Sequence, residues 1–222
     1  AEGVAVVATD HPSVREAIRR VTESGVRVVT LASDVPGAPR ESYVGIDNGQ
    51  AGRLAGLIAG RLLGREARGK VALFAGTLAY RGHQEREMGF RQVLAEDFPD
   101  LEILELRESR EDRARAGQET RRLLASFPDL RGIYNAGGGT VGIAQALQDK
   151  GRSRDVVFVA HDATQEKNPL LLDGTLDAVI DQDARAEARE ALDRLAASIR
   201  GEKRPPVNLR LQVVLRENLP VR

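Results

Sequence analysis

Residues 156–164 read VVFVAHDAT: five apolar, mostly β-branched residues run directly into a histidine, an aspartate, an alanine and a threonine. A short apolar run with polar residues at its end predicts a buried strand followed by a loop. Similar runs recur along the chain, and apolar residues at helical spacing follow most of them. The predicted strands cover residues 4–8, 26–31, 43–46, 71–75, 102–106, 132–135, 156–160, 178–180 and 209–215. This alternation predicts an α/β fold built on parallel sheets.

Two polar segments interrupt the alternation. They are residues 64–69 (GREARG) and residues 201–206 (GEKRPP), and polar, glycine- or proline-containing segments are typical of places where a chain crosses between lobes. We therefore expect two doubly wound lobes rather than one nine-stranded sheet. The first lobe is predicted to contain residues 1–68 plus 183–207, and the second residues 69–182 plus 208–222.

Composition excludes several classes of protein. The 222 residues carry 33 basic and 33 acidic side chains, so this chain alone has no net attraction for nucleic acid or an anionic membrane. The absence of cysteine excludes disulfide scaffolds, thiolate metal sites and thiol catalysis. The sequence contains no Walker loop, no G-x-S-x-G elbow and no H-E-x-x-H motif. We predict no metal, no cofactor and no enzymatic activity.

Polar residues cluster where the predicted strands end. Ligands of open α/β sheets bind beyond the carboxyl ends of the strands, so these residues are candidates for a binding site. Carboxylates, amides and an arginine are the groups that replace water around a polyhydroxylated ligand. For any single position, capping of the next helix is the stronger interpretation. The candidates are Thr9, Asp10, Asp47, Tyr80, Asn135, His161, Asp162 and Gln182.

A glycine cluster offers an alternative function. Residues 137–142 (GGGTVG) contain G-x-G-x-x-G after a strand and before a helix, and Asp162 follows at the spacing of a ribose-binding acid. Against dinucleotide binding, the cluster comes late in the chain, and no proton carrier for hydride transfer accompanies it. A dinucleotide-binding enzyme domain is the less favoured alternative.

Four segments resemble the type I periplasmic-binding-protein fold, which ribose-type sugar-binding proteins share with the effector domains of LacI-type (lactose and galactose repressor) regulators. They are YVGIDNGQAG at 43–52, GHQEREMGF at 82–90, VVFVAHDAT at 156–164 and GTLDAVIDQD at 174–183. The resemblance implies two Rossmann-like lobes with a ligand cleft between them, and about two N-terminal βα units missing from this chain. It gives ligand-contacting roles to Asp47, Arg86, Asp162 and Gln182.

One segment departs from the family pattern. Where the family has an Asn-Asp pair before a helix, this chain has Asn135, Ala136 and three glycines, in a loop one residue shorter. Asn135 is carried over as a further candidate contact, and the glycines leave room for a bulkier ligand.

The resemblance is closest to the regulators. We therefore expect the effector-binding domain of a LacI-type transcriptional regulator: a cytoplasmic homodimer that binds a sugar or polyol and contacts operator DNA only through a separate N-terminal helix-turn-helix domain. The alternative is a periplasmic sugar-binding protein that delivers its ligand to a transporter. Both would use the same pocket, and ligand binding would act through a shift between open and closed states.

Overall fold

The computed structural model describes residues 1–205, 207 and 209–219. The helices are α1 (Pro12–Glu23), α2 (Asn48–Leu63), α3 (Arg81–Asp97), α4 (Arg113–Ser126), α5 (Thr140–Asp149), α6 (Asn168–Leu172) and α7 (Ala184–Ile199), with 3₁₀ turns at Gln165–Lys167 and Arg216–Asn218. The strands are β1 (Gly3–Val6), β2 (Arg27–Leu31), β3 (Ser42–Val44), β4 (Gly69–Ala75), β5 (Leu101–Ile103), β6 (Arg107–Glu108), β7 (Leu130–Asn135), β8 (Val157–His161), β9 (Ala178–Asp181) and β10 (Gln212–Val214).

Every predicted strand overlaps a strand of the structure. The segment predicted at 102–106 overlaps only the end of β5, and β6 follows it at Arg107–Glu108, where no strand was predicted. The helix ends follow local chemistry. Pro12 occupies the first turn of α1, and Gly25 and Gly64 adopt positive φ angles of 87° and 103° after α1 and α2. Glycine reaches such angles without steric cost, which explains why both helices end next to these residues. None of the helices in the described part of the chain is both long and apolar enough to cross a membrane.

The chain forms two compact units. Unit 1 contains residues 1–47, 79–84 and 182–211, and unit 2 contains residues 48–78, 85–181 and 212–222. In unit 1, β1, β2 and β3 form a parallel sheet in that order. Neighbouring residues of β2 point to opposite faces, so Val28 packs with Ile18 of α1 while Val29 packs with Leu195 of α7.

Unit 2 is built on a larger mixed sheet with the order β10-β9-β8-β7-β4-β5, and β6 also pairs with β4. All strand pairs are parallel except β9 with β10, which is antiparallel. One face is covered by α4 and α5, and its core includes Phe74, Leu147 and Phe158, each fully buried. Helix α2 contacts β7, β8 and β9. Because the strands other than β10 run parallel, their carboxyl ends and the loops that follow lie at one edge of the sheet.

The contacts divide the chain at different points from the predicted lobes. Helix α2 belongs to unit 2 because it packs on β7 and β8, whereas the sequence analysis grouped residues 1–68 together. The crossing comes at residues 47 and 48, inside the YVGIDNGQAG segment, rather than at the polar segment 64–69. Pro206, Asn208 and residues 220–222, which include the end of the predicted break at 201–206 and of the predicted second lobe, lie outside the described residues.

Glycines allow α2 and α3 to cross in backbone contact. A Cβ atom added to Gly52 would lie 2.0 Å from the carbonyl oxygen of Arg86, and one added to Gly89 would lie 2.2 Å from that of Gly49. Real Cβ atoms do not approach backbone atoms so closely, because the repulsion rises steeply below van der Waals contact. The close crossing brings Arg86 of α3 next to Asn48 at the start of α2.

Candidate functional site

The candidate site in unit 2 lies beyond the carboxyl ends of β7, β8 and β9, where open α/β sheets place their ligands. Three of the predicted residues follow these strands or end them: Asn135 is the last residue of β7, His161 is the last of β8, and Asp162 comes next. Arg86 reaches the same edge from α3 through its contact with the loop after β7. The structure therefore brings four of the predicted residues to one edge of one sheet.

Arg86 supplies a charged hydrogen-bond donor at this edge. Its side chain is buried, at 4% exposure, and its Nε donates to Oδ1 of Asn48 at 2.7 Å. Its Nη1 donates to the carbonyl oxygen of Ala136 at 2.9 Å. A guanidinium has five N–H donors in a rigid fork, so two fixed bonds set the direction of the others. The site thus contains a pre-oriented planar cation.

An aromatic layer lies beneath the site. Tyr134 is fully buried, and its ring stacks on Phe90 with centroids 4.4 Å apart. The Tyr134 hydroxyl is 2.7 Å from Nε2 of His161, which is also fully buried. Burial raises the pKa of Tyr134 above its usual value, so the phenol is neutral. His161 is therefore bound to the tyrosine of this layer through one ring nitrogen.

Asp162 follows β8 in a left-handed conformation, with a φ of 62°. Its amide donates to the carbonyl oxygen of Ile180 at 2.9 Å, and the amide of Ala163 donates to Oδ1 of Asp181 at 2.8 Å. Lys167 is buried beside this turn, at 7% exposure. Burial lowers the pKa of Lys167, although the charges of Asp162, Glu166 and Asp181 oppose that shift.

The side chain of Asn135 is committed to its own loop. Its Nδ2 donates to the carbonyl oxygens of Gly137 and Gly138, at 2.9 and 3.2 Å, and to Oγ1 of Thr140 at 3.0 Å. These contacts fix the glycine loop whose first residue, Ala136, accepts from Arg86. Asn135 therefore stabilises the loop that contacts Arg86, and its predicted direct contact with a ligand stays a prediction.

The glycine loop already holds an anion. Oε2 of Glu111 accepts from the amide of Gly138 at 2.7 Å. A Cβ added to Gly76 or Gly138 would lie 1.3 or 2.0 Å from the Glu111 carboxylate, so the two glycines provide the space that this carboxylate fills. A dinucleotide needs such amides for its pyrophosphate. The Glu111 carboxylate competes directly with that use, which argues against dinucleotide binding.

The remaining predicted residues belong to unit 1. Asp10 forms an ion pair with Arg15, and its amide donates to the carbonyl oxygen of Ala79 at 2.8 Å. Tyr80 packs edge-on against His83, with ring centroids 5.5 Å apart, and precedes α3. Thr9 is half-buried and precedes Asp10.

Asp47 and Gln182 flank the points where the chain passes from one unit to the other. Asp47 is exposed and is the last residue of unit 1 before α2. Gln182 is 9% exposed and returns the chain to unit 1, ahead of Asp183, whose carboxylate caps α7 through the amide of Ala186. Their ligand-binding roles stay predictions.

Sequence reasoning did not single out Asn48, Glu111 or Lys167 as individual site residues. Asn48 stands next to Asp47 in the quoted motif, and its role depends on a helix crossing that the sequence does not display. Glu111 lies in the charged run RESREDR at 107–113, which gives no sign that one carboxylate turns inward. Lys167 is one of four lysines in the chain, and only its burial distinguishes it.

Comparison with known proteins identifies sugar-binding relatives. The chain is 27% identical over 209 residues to the ribose import binding protein RbsB of Escherichia coli, covering 92% of this chain and 69% of that protein. Among solved structures, a solute-binding protein of an ABC transporter from Burkholderia graminis, in complex with D-arabinose, is 27% identical with a TM-score of 0.92, covering 98% of this chain and 76% of that chain. GanP, a glucose-galactose binding protein from Geobacillus stearothermophilus, is 24% identical with a TM-score of 0.92, and the match covers 100% of this chain and 79% of GanP.

These relatives correct the predicted function. RbsB is named as an import binding protein and the Burkholderia graminis protein as the solute-binding protein of an ABC transporter. The prediction of a LacI-type transcriptional regulator is therefore wrong, and the transporter alternative is the better supported one. The predicted contact with operator DNA depended on the regulator interpretation and is not supported. The comparisons give no support for a homodimer either. The prediction that the chain is not an enzyme agrees with these relatives, which are named as binding proteins.

The predicted fold class is confirmed: the chain has the α/β architecture of type I periplasmic binding proteins, and its structural neighbours are sugar-binding proteins. The model of the periplasmic binding protein domain matches residues 1–203, which is most of the chain. The chain therefore belongs to the periplasmic binding protein domain family.

Proposed function

We propose that this chain is the sugar-binding component of an import transporter and that its ligand is a small neutral sugar of pentose size. The observation that carries the proposal is the buried guanidinium of Arg86, held by Asn48 and Ala136 with its fork fixed. A pre-oriented donor of this kind suits a ligand with several hydroxyl groups, because little freedom is lost when it binds.

The charge of the site favours a neutral ligand. Asp162 supplies a carboxylate acceptor near the same edge, so donors and acceptors are both present and the local charges of Asp162 and Arg86 offset one another. Sugar hydroxyls donate and accept, and they satisfy both kinds of group. One relative is a ribose import binding protein and another is a solute-binding protein in complex with D-arabinose, which makes an aldopentose the first candidate.

We place the protein outside the cytoplasmic membrane, where an import binding protein collects its ligand. The predicted cytoplasmic location rested on the regulator interpretation and has no other support. Immunodetection in fractions of the native host tests the location: signal in the extracytoplasmic fraction supports it, and signal confined to the cytoplasm contradicts it.

The test of binding is a thermal-shift screen with D-ribose, D-arabinose, D-allose and, as a contrasting ligand, NADH. A sugar at about 100 times its dissociation constant stabilises the folded state by roughly 2.7 kcal/mol. We expect at least one sugar to raise the melting temperature and NADH to leave it unchanged. Saturable binding of NADH with no response to any sugar would overturn the proposal.

A pair of variants locates the site. Asp162→Asn keeps the shape of the side chain but removes its charge, and it is expected to weaken sugar binding at least tenfold, since bonds to charged groups are worth about 1.5–3 kcal/mol. Asp155→Asn is the matched control: Asp155 pairs with Arg152 at the opposite end of β8 and is 65% exposed. Equal affinity in the two variants would remove Asp162 from the site.

A further inference from the structure

Asp162 occupies a backbone conformation that few residues adopt. Its φ of 62° lies in the left-handed region, which is strained for a residue with a side chain and persists only where the surroundings hold it. Two bonds already restrain the turn: the Asp162 amide donates to Ile180, and the Ala163 amide donates to the carboxylate of Asp181. These bonds satisfy the amide groups of the turn and leave its carbonyl groups to other donors.

Lys167 satisfies those carbonyl groups. Its Nζ donates to the carbonyl oxygen of His161 at 2.5 Å and to that of Asp162 at 2.7 Å. The 3₁₀ turn Gln165–Lys167 brings the side chain back over residues 161 and 162, and the Lys167 amide closes this turn on the carbonyl oxygen of Thr164 at 3.0 Å. One ammonium group therefore bridges the two consecutive carbonyls at the point where the chain leaves β8.

The burial of this ammonium group is costly, and its position requires an explanation. Lysines are rarely buried, since removal of a charge from water is unfavourable unless other groups compensate. The side chain is 7% exposed, and burial lowers its pKa, while the charges of Asp162, Glu166 and Asp181 favour the protonated form and Arg86 opposes it. The protein accepts this cost at the turn that presents Asp162.

We propose that Lys167 is a positioning residue that holds Asp162 in its left-handed conformation and so fixes the direction of its carboxylate before a ligand arrives. This inference rests on the proposed function for the role of that carboxylate, but the conformational part stands on the contacts of Lys167 alone. Lys167 itself contacts backbone carbonyls, and it acts on the ligand only through Asp162.

The first experiment measures the turn without any ligand. Lys167→Met keeps the length and apolar stem of the side chain and removes the ammonium group; Lys70→Met is the control, because Lys70 pairs with Asp129 at the other end of the sheet. Amide hydrogen exchange at Asp162 and Ala163 is expected to become about tenfold faster in Lys167→Met and to stay unchanged in Lys70→Met. Unchanged protection at both amides in Lys167→Met would overturn the inference.

The second experiment is a double-mutant cycle on sugar affinity. With Asp162 present, Lys167→Met is expected to weaken binding about tenfold; in an Asp162→Ala background, it is expected to change affinity less than twofold. Equal losses in both backgrounds would show a merely structural effect and would contradict the positioning role. If the wild-type protein binds no sugar, the proposed function fails, and the exchange experiment still decides whether Lys167 holds the turn.

Discussion

Substitution of Arg86 with methionine tests the interaction network that organises unit 2. The change removes two hydrogen bonds from a buried cation, to Asn48 and to the carbonyl group of Ala136, and leaves both acceptors without this donor. Bonds that involve a charged group contribute about 1.5–3 kcal/mol each. Since methionine recovers part of the packing, we expect a net loss of about 3 kcal/mol in the free energy of unfolding. For a chain of this size, that corresponds to a fall of roughly 6–12 °C in melting temperature.

The assay is urea and thermal unfolding followed by circular dichroism, without ligand. Arg91→Met is the matched control on the same helix: Arg91 is 36% exposed and pairs with Glu87 one turn away, an arrangement worth about 0.5 kcal/mol or less. A cost for Arg86→Met within 0.5 kcal/mol of the control would refute the reasoning, because it would mean that the buried bonds contribute no more than a surface pair.

Three further predictions concern groups near the site. Tyr134→Phe is expected to reduce the fall in the free energy of unfolding at alkaline pH. Burial raises the pKa of Tyr134, so its contribution to stability is complete below the unfolded-state pKa of about 10. Above that pH the contribution is lost at about 1.4 kcal/mol per pH unit. Melting temperatures of wild type and variant that change equally between pH 8 and 11 would contradict this. Gly76→Ala is expected to lower the free energy of unfolding by about 1 kcal/mol or more in the wild-type background and by little in a Glu111→Ala background, because the added Cβ meets the carboxylate of Glu111. Equal losses in both backgrounds of this double-mutant cycle would show that Gly76 does not provide space for that carboxylate. Gly52→Ala is expected to destabilise by about 2–3 kcal/mol, because its Cβ would meet backbone atoms of Arg86, and urea unfolding with no change in midpoint would show that the helices can separate freely.

Local pattern was sufficient for most of the secondary structure and for the fold class. All strands except β6, whose residues are Arg107 and Glu108, fall where apolar residues are concentrated. Gly25 and Gly64 follow the ends of α1 and α2 because their backbones take angles that other residues avoid. Strand β6 was not predictable from pattern, because Arg107 and Glu108 are both charged and only their pairing with β4 makes them a strand. The position of α2 was missed because contacts between distant segments decide it.

The candidate site was predictable to the extent that topology alone decides it. Arg86 and Asp162 were identified from their motifs, and the structure places them at one edge of the unit 2 sheet. The residues that contact them, Asn48 and Lys167, act through side-chain contacts that depend on how the elements pack. The choice between a regulator and a transport protein was wrong because both classes bind the same kind of ligand with the same kinds of residue, so the pocket residues could not discriminate between them.

The glycine cluster shows how one local pattern serves two physical purposes. G-x-G-x-x-G indicates that the backbone must come close to something that a Cβ would exclude. In a dinucleotide site the close partner is an external pyrophosphate, whereas here it is the carboxylate of Glu111, bound to the amide of Gly138. Gly139 opens α5 with a φ of 93°, and its Cβ would lie 2.7 Å from that of Ala116, so this position is closed to other residues for packing and backbone reasons. The motif therefore indicates only that another group lies close to the backbone. The identity of that group determines whether the space is used by a ligand or by the protein itself.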